Sequence, residues 1–456
     1  MTTNGDGKLE DPADEAAAAK VGHPRGPQSS ASGIPRRPGK GEARRGHDHT
    51  GTPVVEEITG GNGSRPFNPD HPLHRLTPEQ IDEIGVAFQK IHDDVRADLG
   101  EHDATYIRSL IQFHRRLAAL SRIVLMASRY PPAWVLGTAG LSVAKILENM
   151  ELGHNIMHGQ WDWMNDPNIH SSSWDWDTVS PAGAWKHSHN YVHHTHTNVL
   201  GLDKDVGYEI MRVDPSQAWH PAYLAQPVVN VLLMLFFEWG VAFHDLDLEA
   251  VRKGTKDRKV LREELRGIGR KVGRQFAKDY VIFPALSGPK GFKHTLKANI
   301  VANMVRNVWT NAIIFCGHFP DQCYVYTQEE ASDESAGAWY IRQLLGAANI
   351  DGSDTFHLMS GNLSYQVEHH LYPDMPSSRY KEIAPRVKEI CEKYDLPYNT
   401  GPFFKQWGMV QRTLFRLSFP GGKTRPKAPP YKAPPEPIGD GGPHVPAKRG
   451  PIPAYP

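Results

Sequence analysis

The sequence predicts an all-α integral membrane protein with about four transmembrane helices in two hairpins, lying between two disordered tails. Three observations lead to this class: five apolar segments in the central region, polar tails without apolar periodicity, and histidine pairs between the apolar segments. The 51 basic and 51 acidic residues cancel, so no overall field favours nucleic acid as a partner. Three cysteines are too few for a disulfide framework and suit a reducing compartment.

The chain divides by composition into three parts. Residues 1–75 and 419–456 are rich in Gly and Pro and cannot bury enough apolar surface to offset the entropy of ordering, so both are predicted to be disordered. Residues 76–418 form the predicted membrane domain. Residues 1–10 lack the apolar core of a secretory signal peptide, so we expect membrane insertion to use internal segments.

The predicted domain begins with an amphipathic helix. Thr77 is suited to the N-cap, Pro78 to the first helical position and Gln80 to a capping box. Apolar residues then recur at intervals of three and four, which places one stripe on the core-facing side. The stripe consists of Ile81, Ile84, Phe88, Ile91 and Val95.

The apolar segments predict two membrane hairpins. Segments 117–128 and 133–147 flank the helix-breaking prolines of RYPPA, and segments 279–288 and 299–319 flank a PKG turn. Histidine clusters that share one site must lie on one side of the bilayer, which requires an even number of crossings between them. Segment 228–243 is therefore expected to dip into the membrane or lie at its interface. The alternative is that these segments are buried helices of a soluble protein.

A basic stretch orients this topology. Residues 251–278 carry eleven Lys or Arg against three Asp or Glu, which favours the cytoplasmic side. We expect the stretch to contact anionic lipid, with a merely solvated face as the alternative. The active site and both termini are then predicted to be cytosolic, in a bacterial cytoplasmic membrane.

Three histidine-rich motifs predict a metal centre. The motifs are HNIMH with His154 and His158, HNYVHH with His189, His193 and His194, and QVEHH with His369 and His370. Imidazoles four residues apart share one face of a helix. Seven imidazoles exceed the four ligands of one tetrahedral zinc, so two metals fit better, although imidazole suits zinc, copper, nickel and iron alike. An apolar chain in a membrane needs oxidative chemistry to be altered along its length.

The fifth apolar segment adds a further ligand candidate. Asn299, Asn303, Asn307 and Asn311 recur every four residues, and His318 follows on the same face. We predict His318 as a ligand and Asn307 and Asn311 as groups that hold water or orient ligands. The asparagines could instead hydrogen-bond neighbouring helices.

The three motifs, together with FCGHFPD, resemble the membrane fatty acid desaturases, and the surrounding residues resemble actinobacterial acyl-CoA desaturases. The resemblance covers about 107–415. It implies a four-span helical domain with a cytosolic cap, and two irons that activate dioxygen to form a cis double bond in an acyl chain. The implied ligands are His154, His158, His189, His193, His194, His369 and His370, with His318 as an additional one. Gln366 departs from the histidine of many relatives and is expected to hold a metal-bound water.

The resemblance leaves the substrate channel and electron source to other residues. Trp161, Trp163 and Trp185 are candidate walls of an acyl channel, with interfacial anchoring as the alternative. Nearby aspartates, among them Asp162 and Asp177, could orient histidines. The tail motif GHPRG departs from the haem-binding HPGG and no dinucleotide fingerprint follows a predicted strand, so electrons should come from a separate reductase or ferredoxin-like protein.

Two other functions fit the same residues. A membrane di-iron hydroxylase of fatty acids or hydrocarbons would use the same oxidant and insert oxygen instead of removing hydrogen. A non-catalytic metal-handling membrane protein would also use histidine-rich loops, but it should carry polar residues through several spans, whereas here they concentrate on one segment.

Overall fold

A computed structural model describes residues 71–332 and 334–427, all within the compact unit Gly39–Pro456. These residues are mostly helical, which confirms the predicted helical class. The predicted tails fall largely outside the described residues. Their inner edges do not: a short 3-10 helix covers Pro72–Arg75, and Arg425 pairs with the buried Asp321 at 2.6 Å. The ordered region therefore extends a few residues beyond 76–418 at both ends.

The regular elements follow one another with short connections. The α-helices are α1 Pro78–Asp98, α2 Glu101–Leu125, α3 Pro131–Leu147, α4 Asn155–Met157, α5 Ala182–Trp185, α6 His194–His196, α7 Gln226–Leu235, α8 Phe237–His244, α9 Leu248–Arg252, α10 Arg258–Gln275, α11 Phe283–Leu286, α12 Gly288–His318, α13 Ala336–Gly346, α14 Asp354–Met359, α15 Gln366–Leu371, α16 Tyr380–Tyr394 and α17 Phe403–Leu417. Three π-helices cover Glu148–His154, Lys186–His193 and Phe276–Ile282. Further 3-10 helices are Asp162–Met164, Val206–Glu209, Pro221–Ala225, Leu363–Tyr365 and Ser377–Arg379. Strands β1 Asn349–Asp351 and β2 Thr400–Pro402 pair in parallel.

Helix α1 begins as predicted, with the Thr77 and Gln80 capping box formed in both directions. Most of its apolar stripe is buried against α13 and α16, and Ile81 is partly buried. Two glycines allow α1 and α13 to meet closely, since a Cβ built on Gly85 would lie 2.9 Å from Cα of Gly337. This contact packs α1 against α13, which in turn contacts α15.

The first predicted hairpin is present as α2 and α3. The prolines of RYPPA begin α3, where the missing N–H of proline costs no helical hydrogen bond. Helix α2 begins at Glu101, well before the predicted apolar segment at 117–128. The residues in between are largely polar and are also helical. Gly137 and Gly140 face Leu125 and Ser121, which brings the two helices into close contact.

The second hairpin differs from the prediction at its turn. The chain reverses at Ser287 and Gly288, and the predicted PKG turn lies inside the first turn of α12. Gly288 has φ +70°, a conformation that glycine adopts without strain, and Pro289 is favoured in the first turn of a helix. Helix α12 consequently runs unbroken for 31 residues and ends at His318.

Segment 228–243 contains a sharp bend. Pro221–Leu235 and Phe237–His244 meet at an angle of 102°. In the described part of the chain no single helix combines the length and apolarity of a membrane span, whereas this bent pair satisfies both together. All three cysteines are free and buried.

Helices α1, α13, α15 and α16 enclose the largest apolar cluster, which includes Phe88, Tyr340, Val367 and Tyr372. Helix α15, which carries the third histidine motif, is buried along its whole length in this arrangement. The α12 helix reaches the same region from the second hairpin, so His318 and α15 come together.

Candidate metal centre

The first two histidine motifs lie on π-helical turns. His154 is the last residue of Glu148–His154, and His189 and His193 belong to Lys186–His193. Sequence periodicity predicted α-helical spacing here; the π-turns are a difference from that expectation. Such turns insert one extra residue into a helix and are frequent at functional sites. They re-aim the imidazoles while keeping the rings of His154 and His158 4.6 Å apart.

Four histidines form the first group of potential ligands. Ring nitrogens of His154, His158, His189 and His369 lie within 4.8 Å of one another. Nε2 of His154 is 3.3 Å from Nε2 of His369, although these residues are 215 positions apart in the chain. All four side chains are buried or nearly so.

Three histidines form the second group. Ring nitrogens of His193, His318 and His370 also lie within 4.8 Å of one another, and Nε2 of His370 is 3.0 Å from Nε2 of His318. His194 lies between the groups, with its ring centre 4.7 Å from that of His158 and 4.5 Å from that of His370. The eight histidines predicted as ligands are thus brought together, seven of them in two adjacent groups and His194 between the groups.

Several of these nitrogens have no hydrogen-bond partner among the described residues. They are Nε2 of His158, Nε2 of His189, Nδ1 of His318 and both ring nitrogens of His194, all buried. A buried polar atom left unpaired costs about 1–3 kcal/mol, and facing imidazole nitrogens cannot all donate to one another. The donor set therefore fits metal ions, because a metal would satisfy these lone pairs together.

The opposite ring nitrogens are held by a buried and a partly buried carboxylate, neither of which was among the predicted site residues. Nδ1 of His193 lies 2.9 Å from Asp203, and Nδ1 of His189 lies 3.1 Å from Asp205. Such carboxylate partners fix the tautomer so that Nε2 presents a lone pair. The signal was present in the sequence: both aspartates follow the second motif closely in GLDKD.

The third motif is held in the same manner by neutral groups. Nδ1 of His369 lies 3.1 Å from the Tyr380 hydroxyl, and Nδ1 of His370 lies 3.1 Å from Oε1 of Gln343. The aspartates predicted for this role lie elsewhere. Asp162 accepts hydrogen bonds from Ser171, and Asp177 pairs with lysines, so neither contacts a ligand candidate.

Burial keeps most of the clustered imidazoles neutral. It lowers the pKa of His154, His158, His194, His369 and His370 well below the usual range, and repulsion from neighbouring imidazoles adds to the effect. The neutral ring is the form that binds a metal.

His193 is the exception among the clustered residues. Burial lowers its pKa, but the Asp203 carboxylate outweighs this effect, so that the net shift is upward. The same carboxylate would hold the Nδ1 proton when Nε2 binds a metal.

Gln366 lies beside the second group. Its Nε2 is 3.0 Å from Nε2 of His318, and its Oε1 is buried with no described partner. Gly317 makes room for it, since a Cβ at that position would lie 2.7 Å from Cγ of Gln366. The predicted role of holding a metal-bound water requires this proximity.

The asparagines of α12 divide into two kinds. Asn307 donates to the carbonyl of Leu235 at 3.0 Å and accepts from Arg306, which is the helix-contact role of the alternative interpretation. Asn311 is buried, and its Nδ2 has no hydrogen-bond partner in the described structure. Its predicted role of holding water therefore stays a prediction.

A cavity extends from the histidines. Its walls include His154, His189 and His318, together with polar, acidic and apolar side chains. The apolar members are Met150, Trp176, Trp185, Phe237, Val241, Ile314, Phe319 and Leu363. Trp185 lines this cavity, and its role as an acyl-channel wall stays a prediction. Trp161 and Trp163 do not line it: Trp161 is buried in another cluster against Tyr106, because its motif folds toward α2.

Comparison with known proteins agrees with this site. The sequence matches the family model of fatty acid desaturases over residues 130–402. It is 48% identical over 356 residues, 77% of this chain and 83% of the relative, to an NADPH-dependent stearoyl-CoA 9-desaturase of Mycobacterium tuberculosis. It is 25% identical, over 69% of this chain and 90% of the relative, to an sn-1 linoleoyl-lipid 6-desaturase of Synechocystis. The matched region contains every histidine of the two groups.

Proposed function

Because the chain belongs to the fatty acid desaturase family, we propose that this oxidoreductase forms a cis double bond in the acyl chain of a fatty acyl-CoA. The observation that carries the proposal is the pair of buried histidine groups beside a cavity that apolar side chains also line. The similarity to a stearoyl-CoA 9-desaturase, at 48% identity, supports a saturated acyl-CoA as the substrate.

Two iron ions are the proposed cofactors, one for each histidine group. His154, His158, His189 and His369 would hold one, His193, His318 and His370 the other, and His194 lies within reach of both. When bound, the irons supply the dioxygen chemistry that removes two hydrogens from an unactivated chain. One dioxygen, two electrons and two protons are consumed for each double bond, and two waters are released.

The residues of the chain orient the imidazoles and exclude water from the site. Asp203 and Asp205 retain protons on Nδ1 of His193 and His189, so that Nε2 of each faces the centre. The cavity has a volume of about 60 Å³, so it must widen to admit an acyl chain. Its apolar side chains would then contact the chain and exclude water, which directs oxidation to carbon atoms and away from solvent. Electrons come from a separate reductase or ferredoxin-like partner. The Mycobacterium relative is described as NADPH-dependent, which supports NADPH as the ultimate donor.

We also propose that the protein is embedded in the cytoplasmic membrane, with four spans in two hairpins and a cytosolic cap. One proposed hairpin is the α2–α3 pair. The other is α12 with the continuous helix that runs from α10 through Phe276–Ile282 into α11, and the bent pair α7 and α8 dips into the membrane without crossing it. Single cysteines placed at Gly254 and at Arg129 should be labelled by an impermeant reagent from opposite sides of the membrane. Labelling of both from one side would contradict this topology.

The function is tested by product analysis. Full-length protein and a reductase are supplied with stearoyl-CoA, dioxygen and NADPH, and the acyl products are identified by mass spectrometry. We expect a new double bond, and we expect His194→Ala to abolish it because both ring nitrogens lie inside the histidine centre. His187→Ala is the matched control, since His187 lies on the same π-helix outside both groups.

Other products would identify the alternative functions. A hydroxylated chain would make the protein a hydroxylase. Metal binding without dioxygen consumption would support the metal-handling alternative.

A further inference from the structure

Asp205 lies between the histidine centre and the end of α8. Its Oδ2 atom is 3.1 Å from Nδ1 of His189, and its Oδ1 atom is 3.0 Å from Nε2 of His244. A carboxylate only accepts hydrogen bonds, so both imidazoles donate to it. The Asp205 and His244 side chains are 18% and 6% exposed, so these contacts are largely shielded from water. His244, which belongs to neither histidine group, is therefore linked to His189 through one shared carboxylate.

A second contact joins α8 to the π-helix that carries His189. Asp245 follows α8 directly, and its side chain accepts from the hydroxyl of Ser188 at 2.5 Å and from that of Ser180 at 2.8 Å. Ser188 immediately precedes His189 in the π-helix. The end of α8 thus holds two neighbouring residues of this π-helix, Ser188 directly and His189 through Asp205.

The turn after Asp205 has an uncommon backbone conformation. Residues 207–209 all have positive φ, between 53° and 63°, although only the first of them is glycine. Positive φ in a tyrosine or glutamate is sterically strained, and such strain clusters at functional sites. The ring of Tyr208 lies 5.2 Å from that of His244 and 5.6 Å from that of Phe237, so the turn packs against α8. The strained turn therefore coincides with the contact between Asp205 and His244.

The His189 ring depends on Asp205 for its tautomer. The ring stacks on Trp185, with ring centres 4.6 Å apart and planes at 21°. Stacking holds the plane of the ring but does not select which nitrogen carries the proton. Nδ1 donates to Asp205, and Nε2 is buried with no hydrogen-bond partner in the described part of the chain. A proton held on Nδ1 leaves the Nε2 lone pair free for a metal.

We propose that His244 is a positioning residue for the first histidine group: by donating to Asp205, it holds the carboxylate that orients His189. This inference rests on the proposed function, because it takes that group to hold an iron ion. Without His244, Oδ1 of Asp205 loses its contact with α8, and the carboxylate is free to turn away from His189. His193 keeps its own partner, Asp203 at 2.9 Å, and lies 3.8 Å from Asp205. The loss should therefore fall on the first group and spare the second.

Iron binding tests the proposal without requiring turnover. Full-length protein in lipid nanodiscs is loaded with ferrous iron, and the iron retained per chain is measured at increasing chelator concentration. We expect His244→Ala to bind one of its two irons about tenfold more weakly, the lower end of the effect of losing a group that orients a metal ligand. Mössbauer spectroscopy of the loaded protein then shows whether one iron site or both have changed.

Two further variants separate positioning from support of the fold. His244→Gln retains an N–H donor at a similar reach and should recover most of the lost affinity. Phe243→Ala is the matched control, since Phe243 is the neighbouring residue of α8, is 56% exposed and lies outside the residues that line the cavity. We expect the control to retain both irons. Unchanged iron binding in His244→Ala, equal weakening of both irons, failure of the Gln variant to recover, or an equal effect of Phe243→Ala would each overturn the proposal.

A double-mutant cycle tests whether His244 acts through Asp205. His244→Ala, Asp205→Asn and the double variant are compared in the same chelator assay. If His244 acts by holding Asp205, the double variant binds the iron of the first group no more weakly than Asp205→Asn alone. Additive losses would show that the two residues act separately, and the proposal would be wrong.

The outcome is separate from that of the proposed function. Selective weakening of one iron in a protein that forms no double bond would leave the role of His244 assigned and remove the proposed function. Desaturation of stearoyl-CoA by the native chain, with iron binding unchanged in His244→Ala, would do the reverse.

Discussion

Asp203 provides a sharp test of how the histidine centre is organised. Its side chain is fully buried and accepts from Nδ1 of His193 at 2.9 Å and from the backbone N–H of Asn198 at 2.8 Å. Asp203→Asn keeps the volume but replaces a carboxylate with a neutral amide. Loss of such a partner typically weakens metal binding by 10–100-fold, which corresponds to about 1.4–2.8 kcal/mol.

The assay is a competition between protein and chelator for ferrous iron. Iron bound per chain is measured at increasing chelator concentration, and circular dichroism checks that the variant is folded. Asp162→Asn is the control, because Asp162 also caps a loop, accepting from Ser171 at 2.7 and 2.6 Å, but contacts no member of the histidine groups. We expect one of two irons to be lost first in the Asp203 variant. Equal iron retention by both variants would refute the orienting role of Asp203.

Two further outcomes follow from particular contacts. Gly317→Ala places a Cβ 2.7 Å from Cγ of Gln366 and should move its amide away from the second group, reducing turnover at least fivefold; Gly273→Ala, with open space around it, should have no such effect. Burial lowers the pKa of His92, but the nearby Asp374 carboxylate has the larger combined effect, so the net shift of the His92 pKa is upward. The His92–Asp374 pair therefore stabilises the fold fully below about pH 6.5, and this stabilisation is lost as the pH rises through the folded-state pKa. Thermal unfolding of His92→Gln should therefore show a deficit of up to about 1 kcal/mol at pH 6 that shrinks at pH 8.5, and a deficit independent of pH would contradict this reasoning.

Local signals predicted much of the architecture. The capping box at Thr77, the prolines of RYPPA and the apolar stripe of α1 act over a few residues, and each appears where it was expected. The prediction of a turn at PKG was wrong, and the reason is also local. Gly288 takes the left-handed conformation one residue earlier, which leaves Pro289 free to begin a long helix.

The histidines themselves were visible from the sequence, because three separate motifs of closely spaced imidazoles are improbable by chance, whereas one pair four residues apart is not. What the sequence did not show was how they are divided. The π-turns before His154 and across His189 and His193 depend on packing around the centre, and no residue pattern in those turns distinguishes them from α-helix. The grouping of His154 with His369, and of His193 with His318, is decided by which helices meet.

The sequence by itself determined the helical class, the family and the set of histidines, since these depend on composition, spacing and local backbone preferences. Only the tertiary structure decided which acceptors hold the imidazoles and which tryptophan lines the cavity. Asp203 with His193, and Trp185 with Phe237 and Ile314, meet only after the chain has folded. The physical reason is that these contacts join distant helices, and their geometry follows from the packing of whole side chains, which no short pattern encodes.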